Sequence, residues 1–154
     1  MGLLFRKESK TVTEILYTDY MTPEEYNEMR VQVGYRALTP GQAERGLAHT
    51  TFLVAARDSE KLIGMGRVLY DYGSTAYIAD IFVHPDYQRK GIGSQIVRRL
   101  MDQTLDAAQA GERIFFILGA AKGKEPFYEQ LGFLRRPNEM SGCGMSVYIE
   151  KQAE

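Results

Sequence analysis

The 154-residue chain has one cysteine, Cys143, and two histidines, His49 and His84. A lone thiol excludes an internal disulfide framework and a cysteine-based zinc site; it suits a reducing compartment, and the cytoplasm is the expectation. Long hydrophobic runs are also missing: the longest, such as Ile114 to Ala121, fall far short of the roughly 20 residues that a membrane-spanning helix needs. Excess charge of either sign is absent, since 19 basic residues face 20 acidic ones for a net charge of -1. No overall field favours nucleic acid, which leaves only a local basic patch for such a role. The apolar stretch Gly2 to Phe5, followed by Arg6, Lys7 and Lys10, is too short for a signal peptide and reads as a loose or weakly docked end. There is no repeat, linker, low-complexity tract or metal-ligand cluster.

What the chain does have is 44% hydrophobic and 11% aromatic residues, enough for one domain spanning residues 1–154 with its core at about 12–150. Val12 to Thr18 reads as a short strand. Thr22-Pro23-Glu24-Glu25 is a helix start with a capping threonine, proline at the first position and glutamate at the third. Tyr26, Met29, Val33 and Ala37 then recur at helical spacing to about residue 37, and Thr39-Pro40-Gly41-Gln42 opens a second short helix that ends before His49. Thr51 to Arg57, Leu62 to Tyr70 and Thr75 to Val83 form an antiparallel meander. Gly64 and Gly66 in its middle strand point either to a close approach of another backbone or a ligand or to a bulge.

Beyond Pro85, Ile92, Ile96, Val97, Leu100, Met101, Leu105 and Ala108 share one face of a long helix that stops at Gly111. Ile114 to Leu118 suits a buried parallel strand, Pro126 to Leu131 a short helix closed by Gly132, and alternating Met145, Val147 and Ile149 a last strand. The order predicts an α+β fold, a central mixed, mostly antiparallel sheet with helices on both faces.

The segment from Val83 to Ser94 carries the chemistry. A loop between a strand and an amphipathic helix presents the first amides of that helix, which have no intrahelical partners, and the helix dipole favours an anion there. Gly91 and Gly93 let the backbone approach a ligand, and Arg89 and Lys90 add positive charge, a combination that fits a pyrophosphate. A Walker loop needs Gly-Lys-Ser/Thr after four intervening residues, and the chain has no such run. A dinucleotide loop would need glycine or alanine near position 96, where Ile96 stands.

Gln88-Arg89-Lys90-Gly91-Ile92-Gly93 resembles the coenzyme A pyrophosphate loop of the GCN5-related N-acetyltransferase (GNAT) superfamily. Val83-His84-Pro85-Asp86-Tyr87 resembles the end of that family's fourth strand, and Phe127-Tyr128-Glu129-Gln130-Leu131-Gly132-Phe133 its second hallmark segment. The likeness extends over nearly the whole order of elements and implies a single-domain acyl-CoA N-acyltransferase fold. It implies further that Ile81, Phe82 and Val83 meet the pantetheine arm, that Gln88, Arg89, Lys90, Gly91, Ile92, Gly93 and Ser94 hold the pyrophosphate, and that Phe127 lines the cofactor site. An amide near Val83 would polarise the thioester carbonyl of acetyl-CoA, and the amine would attack directly, leaving coenzyme A as product and Cys143 a bystander.

Tyr128 matches the family's general acid, or else it orders the cofactor sulfur through its hydroxyl. Strand alternation puts Asp80, Phe82 and His84 on one face and Ala79, Ile81 and Val83 on the other. Asp80 is accordingly read either as the base that deprotonates the amine or as a structural carboxylate paired with an arginine. His84 is expected to position the loop.

Leu118 to Lys124 departs from the family pattern where many relatives carry an asparagine, and Lys122 and Lys124 either meet the ribose phosphate or sit in a solvated loop. The resemblance makes the first helix, with Tyr26, Met29 and Arg30, a wall of the acceptor site. The expected acceptor is a small-molecule primary amine; the alternatives are a peptide or protein amine, or an acyl-CoA-binding sensor without turnover. Relatives also form homodimers through their last strands, a use open to Met145–Ile149, although an ordinary sheet strand has the same pattern.

Overall fold

Helix starts and stops follow local chemistry. The Thr22 hydroxyl accepts the Glu25 amide at 3.1 Å and the Glu25 carboxylate accepts the Thr22 amide at 2.9 Å, which completes the capping box and begins α1 (Pro23–Gln32). Helix α1 ends sooner than its apolar spacing suggests. Gly34 takes φ +93°, and Tyr35 turns back to donate its amide to the Arg30 carbonyl, so Tyr35 and Ala37 lie in a loop. Asn27 pins that loop to α1 by bonding both the amide and the carbonyl of Leu38. Thr39 caps α2 (Pro40–Ala48).

The computed structural model describes residues 14–151, so Val12 and Thr13 of the expected first strand lie outside it. Five strands, β1 (Ile15–Thr18), β2 (Phe52–Asp58), β3 (Lys61–Tyr70), β4 (Thr75–Val83) and β5 (Phe115–Ile117), lie in sequence order. The first three pairings are antiparallel and β4–β5 is parallel, giving the mixed, mostly antiparallel sheet. Helix α3 (Ile92–Asp106) covers one face, where Ile96, Val97 and Leu100 are fully buried against Val54, Ile63, Val68 and Ile78. Helices α1 and α2 cover the other, where Tyr26, Met29 and Ala43 pack with Ala55, Met65 and Phe82. The short α4 (Glu125–Glu129) follows β5 and packs on the α3 side.

The middle of β3 is glycine because α3 comes so close. A Cβ built on Gly66 would stand 2.5 Å from Ile81 Cδ1, 2.6 Å from Ile96 Cγ2 and 2.9 Å from Leu100 Cδ1. The bulge explanation holds, since the register shifts between Met65 and Arg67 at the same place, but what crowds Gly66 is side-chain methyls and not another backbone or a ligand.

Two expectations at the C-terminal end do not hold. β5 is an edge strand in which Phe115 is 57% exposed, not a buried strand. Residues 145–149 join no strand: Met145, Val147, Tyr148 and Ile149 are 77–99% exposed. Alternation reports an amphipathic strand but not the edge it pairs with, and among the described residues this segment meets none.

Candidate active site

The site begins with a bulge in β4. Met65 pairs with Phe82 but Arg67 pairs with Ala79, so Asp80 and Ile81 share a single position opposite Gly66, with Asp80 at φ +52°. The extra residue reverses the alternation. Ala76 and Ile78 face α3, and so do Ile81 and Val83; Asp80 and Phe82 face α1, as expected. Ala79 is the exception to the predicted faces, because its direct partner Arg67 points toward α2.

Past the bulge, β4 and β5 separate. Their pairing stops at Tyr77–Ile117, leaving the end of β4 without a neighbour on that side. His84 donates its amide to Ile63 at 2.8 Å and Phe82 lies opposite Met65, so the alternating antiparallel ladder turns the Val83 amide away from β3 and into the opening. The Val83 carbonyl is taken by Gln88 Nε2 at 3.0 Å.

The loop to α3 is held from both ends. His84 Nδ1 accepts the Asp86 amide at 3.2 Å, the positioning role expected of it, and a single 3₁₀ turn, Pro85–Tyr87, follows. Tyr87 donates to Asp58 Oδ2 at 2.6 Å, which ties the loop to the end of β2, and Lys90 lies over the Tyr87 ring. Arg89 and Gly91 take φ +61° and +80°, and α3 begins without any side-chain cap. Among the described residues the amides of Ile92, Gly93 and Ser94 donate to no protein group.

The two loop glycines serve different ends. Nothing lies within 4 Å of a Cβ on Gly91, which is glycine for its backbone angle, whereas a Cβ on Gly93 would meet Phe127 Cζ at 3.2 Å and Val83 Cγ2 at 3.6 Å. Ile92 is buried and can offer a ligand only its backbone.

Phe127 therefore packs α4 onto the start of α3. The Phe127 and Tyr128 rings meet edge to face, 4.8 Å between centroids, and Tyr128 packs likewise on Phe133. Burial, with a smaller contribution from nearby Tyr35, pushes the Tyr128 hydroxyl up to about 12. Tyr35 in turn leans on Phe82, 5.2 Å between centroids, so the α1–α2 loop reaches over the end of β4.

Behind the bulge lies a charged cluster. Asp80 Oδ2 accepts from the Tyr26 hydroxyl at 2.5 Å and from Arg67 Nε at 2.6 Å, and Arg30 stands 3.8 Å from Oδ1. With the Tyr26 hydroxyl and two guanidiniums gathered on its carboxylate, Asp80 has the geometry of the arginine-paired reading. Arg67 was not anticipated; the signal for it was an arginine inside an otherwise apolar strand. Tyr26 and Met29 are each 1% exposed, so neither can face an acceptor as expected; Arg30, from the same helix, stacks over the Tyr35 ring. Lys122 and Lys124 are exposed. Among the described residues, no group of His, Cys, Asp and Glu could hold a metal ion and no helix is long and apolar enough to cross a membrane.

Known proteins resemble this chain in sequence and in fold. The "Uncharacterized N-acetyltransferase ycf52" of Pyropia yezoensis is 32% identical over 91 residues, 58% of this chain and 50% of its own length. The chain thus spans about half the length of the curated relatives it matches. The crystal structure of SA2161, a protein of unknown function from meticillin-resistant Staphylococcus aureus, superposes with a TM-score of 0.78 at 31% identity, covering 88% of this chain and all of that one. Glucosamine-6-phosphate N-acetyltransferase from Arabidopsis thaliana shares the fold, with a TM-score of 0.68 at 17% identity over 89% and 99% of the two chains. Residues 10–133 match the Acetyltransferase (GNAT) family, and with the open end of β4 and the uncapped start of α3 in their places, the chain belongs to that family.

Proposed function

We propose that the chain is an acetyl-CoA-dependent N-acetyltransferase acting on the primary amine of a small molecule in a reducing cytoplasm. The observation that carries the reading is the pairing of free backbone donors at Val83 and in the first turn of α3 with a half-buried tyrosine. These residues fit coenzyme A. Uncapped amides at a helix start suit a pyrophosphate, Arg89 and Lys90 add charge, and the gap between β4 and β5 suits a strand-like pantetheine arm. Gln88, Gly91, Gly93 and Phe127 act indirectly, by closing the β4 end and letting the loop and α4 fit together.

Bound acetyl-CoA supplies an activated acyl carbon and a thiolate leaving group. The Val83 amide, fixed by the ladder, donates to the carbonyl oxygen as charge develops there. The Tyr128 hydroxyl is protonated at every physiological pH and donates to the sulfur. Full proton transfer from a group at about 12 to a thiolate near about 8.5 is uphill by about 5 kcal/mol, so Tyr128 acts by hydrogen bonding more than by yielding its proton. Asp80 holds Tyr26, Arg67 and Arg30 in place, and the net positive charge of that cluster favours the unprotonated amine that must attack.

The α1–α2 loop supports a small acceptor. Pinned by Asn27 and carrying Tyr35 over Phe82, it roofs the site where a peptide would need an open groove. Acetyl-CoA-dependent thiol release on a panel of small amines and lysine peptides tests the assignment. Turnover confined to the peptides moves the acceptor class, and saturable acetyl-CoA binding with no turnover on any amine leaves a binding protein without activity.

A further inference from the structure

The bulge in β4 decides which way one amide points. With the bulge in place, Val83 lies opposite Gly64 and the Ile63 carbonyl accepts the His84 amide, so the Val83 amide faces away from β3. Were Asp80 to take an ordinary place in the ladder, every later residue of β4 would slip by one. Val83 would then stand opposite Ile63 and lose its amide to that carbonyl. The free donor therefore exists only while the bulge does. The bulge in turn stands on Asp80 at φ +52°, a backbone conformation that disfavours residues with a side chain, even if aspartate tolerates it better than most.

A neighbouring side chain holds Asp80 there. Arg67 pairs with Ala79, the residue just before the bulge, and its Nε donates to Asp80 Oδ2 at 2.6 Å. The same guanidinium is anchored beyond β4: Nη1 donates to Thr50 Oγ1 at 3.3 Å and to the Gly46 carbonyl at 3.5 Å, where α2 ends. Thr50 is fixed too, since its hydroxyl donates to the Gly46 carbonyl at 2.9 Å. Tyr26 donates to the same Asp80 oxygen, but its ring also fills the core under α1. Arg67 has no such packing duty. It is the single charged residue between Leu62 and Leu69, and a charge placed there is costly unless its bonds do something an apolar residue could not.

We propose that Arg67 is a positioning residue for acyl transfer: through Asp80 it holds the bulge of β4 and so keeps the Val83 amide turned toward the reacting carbonyl. Its importance for turnover rests on the proposed acetyl transfer, whereas its hold on the direction of the amide does not.

Hydrogen exchange on the full chain is expected to be fast at Val83 and slow at His84. Arg67→Met is expected to slow exchange at Val83 and to speed it at His84. In acetyl-CoA-dependent thiol release the same variant should lose about 10–100-fold in kcat, less than the removal of a whole oxyanion donor, with KM for acetyl-CoA near that of the parent. Arg67→Lys, which keeps the charge and one donor, should recover part of the loss. The double variant R67M/D80N should fall no further than R67M, because the two residues act as one unit. Parent-like exchange and kcat in Arg67→Met would mean that packing alone keeps the bulge, and additive losses in the double variant would mean that Arg67 works apart from Asp80; either overturns the inference. So does an Asp80→Asn variant that loses the acidic limb of the pH–rate profile, since Asp80 is then a base and not a clamp. Should Arg67→Met fail to fold, Arg67→Lys and Asp80→Asn provide the same exchange comparison. Absence of thiol release with every amine removes the proposed reaction, and the exchange pattern at Val83 and His84 still decides whether Arg67 sets the amide.

Discussion

The two ends of the sheet are built differently. From β2 to α3 the side chains interlock so closely that Ala56, Ile63, Val68, Ile96 and Leu100 have no accessible surface and a Cβ on Gly66 of β3 would stand within 3 Å of three side chains. From β5 onward the chain is thinly covered, with a three-residue strand, a five-residue helix and an extended segment. The proposed machinery straddles the divide: the Val83 amide and the α3 amides are fixed by the tight end, whereas Tyr128 is carried by the loose one. Rigid donors that must meet a developing charge belong on the well-packed side. A side chain that must admit a ligand can sit where the chain opens.

The comparison breaks most visibly at Leu100. It is wholly buried among Val54, Ile63, Ile96 and Gly66, and Leu100→Ala is expected to cost about 2–5 kcal/mol in chemical denaturation. Leu105, on the same helix but 49% exposed, should lose less than about 1 kcal/mol on the same change. Similar costs at both positions would mean that the packing contrast along α3 is not real.

Tyr128→Phe sharpens it on the functional side. Removing one hydroxyl from a donor site should lower kcat by about 100-fold, equal to about 2.7 kcal/mol, while denaturation midpoint and acetyl-CoA affinity stay close to those of the parent. Should kcat be unchanged, Tyr128 does not touch the reacting sulfur. Loss of stability in step with activity would instead make it a packing residue of the loose end.

The same contrast governs how much could be read from the residues alone. The meander, the capping box at Thr22, the side-chain cap at Thr39, and the Gln88–Ser94 loop follow from local chemistry, and the structure has them within a residue or two. The Asp80 bulge inverts the strand faces and was invisible, because an added residue in β4 is defined only by its pairing with β3. Met29 looked available to a substrate because helical spacing marks an apolar face without saying what covers it. Arg67 became legible only once the bulge brought Asp80 beside it. Met145 to Ile149 failed for a related reason, since alternation marks an amphipathic segment without saying whether a sheet edge pairs with it, and among the described residues none does.

Gly91 probes the seam between the two ends. Its φ of +80° disfavours any side chain, but a Cβ there meets nothing within 4 Å, so Gly91→Ala should cost only backbone strain, about 1–2 kcal/mol. The effect should fall on acetyl-CoA affinity as well as on stability, because the loop can relax only by moving the α3 amides. An affinity equal to the parent's, measured by calorimetry, would detach those amides from cofactor binding.

The smallest effect is expected where the tight end meets solvent. Glu25 closes the capping box of α1 and bonds Arg57 at 2.6 and 3.0 Å through its two oxygens. The Arg57 hydrogen bonds hold its carboxyl below the ordinary value of 4.5, helped by the Thr22 amide and opposed by burial. A carboxylate depressed in the folded state contributes stability that is complete above its unfolded value and disappears as the pH falls through its folded value. Glu25→Gln should therefore cost about 1 kcal/mol at pH 7, and the gap between variant and parent should close progressively below pH 4.5. Denaturation midpoints across that range check the sign. A gap that stays constant into strong acid would assign the contribution to the neutral capping contact, and a gap that widens would mean that Glu25 stabilises the fold in its protonated form.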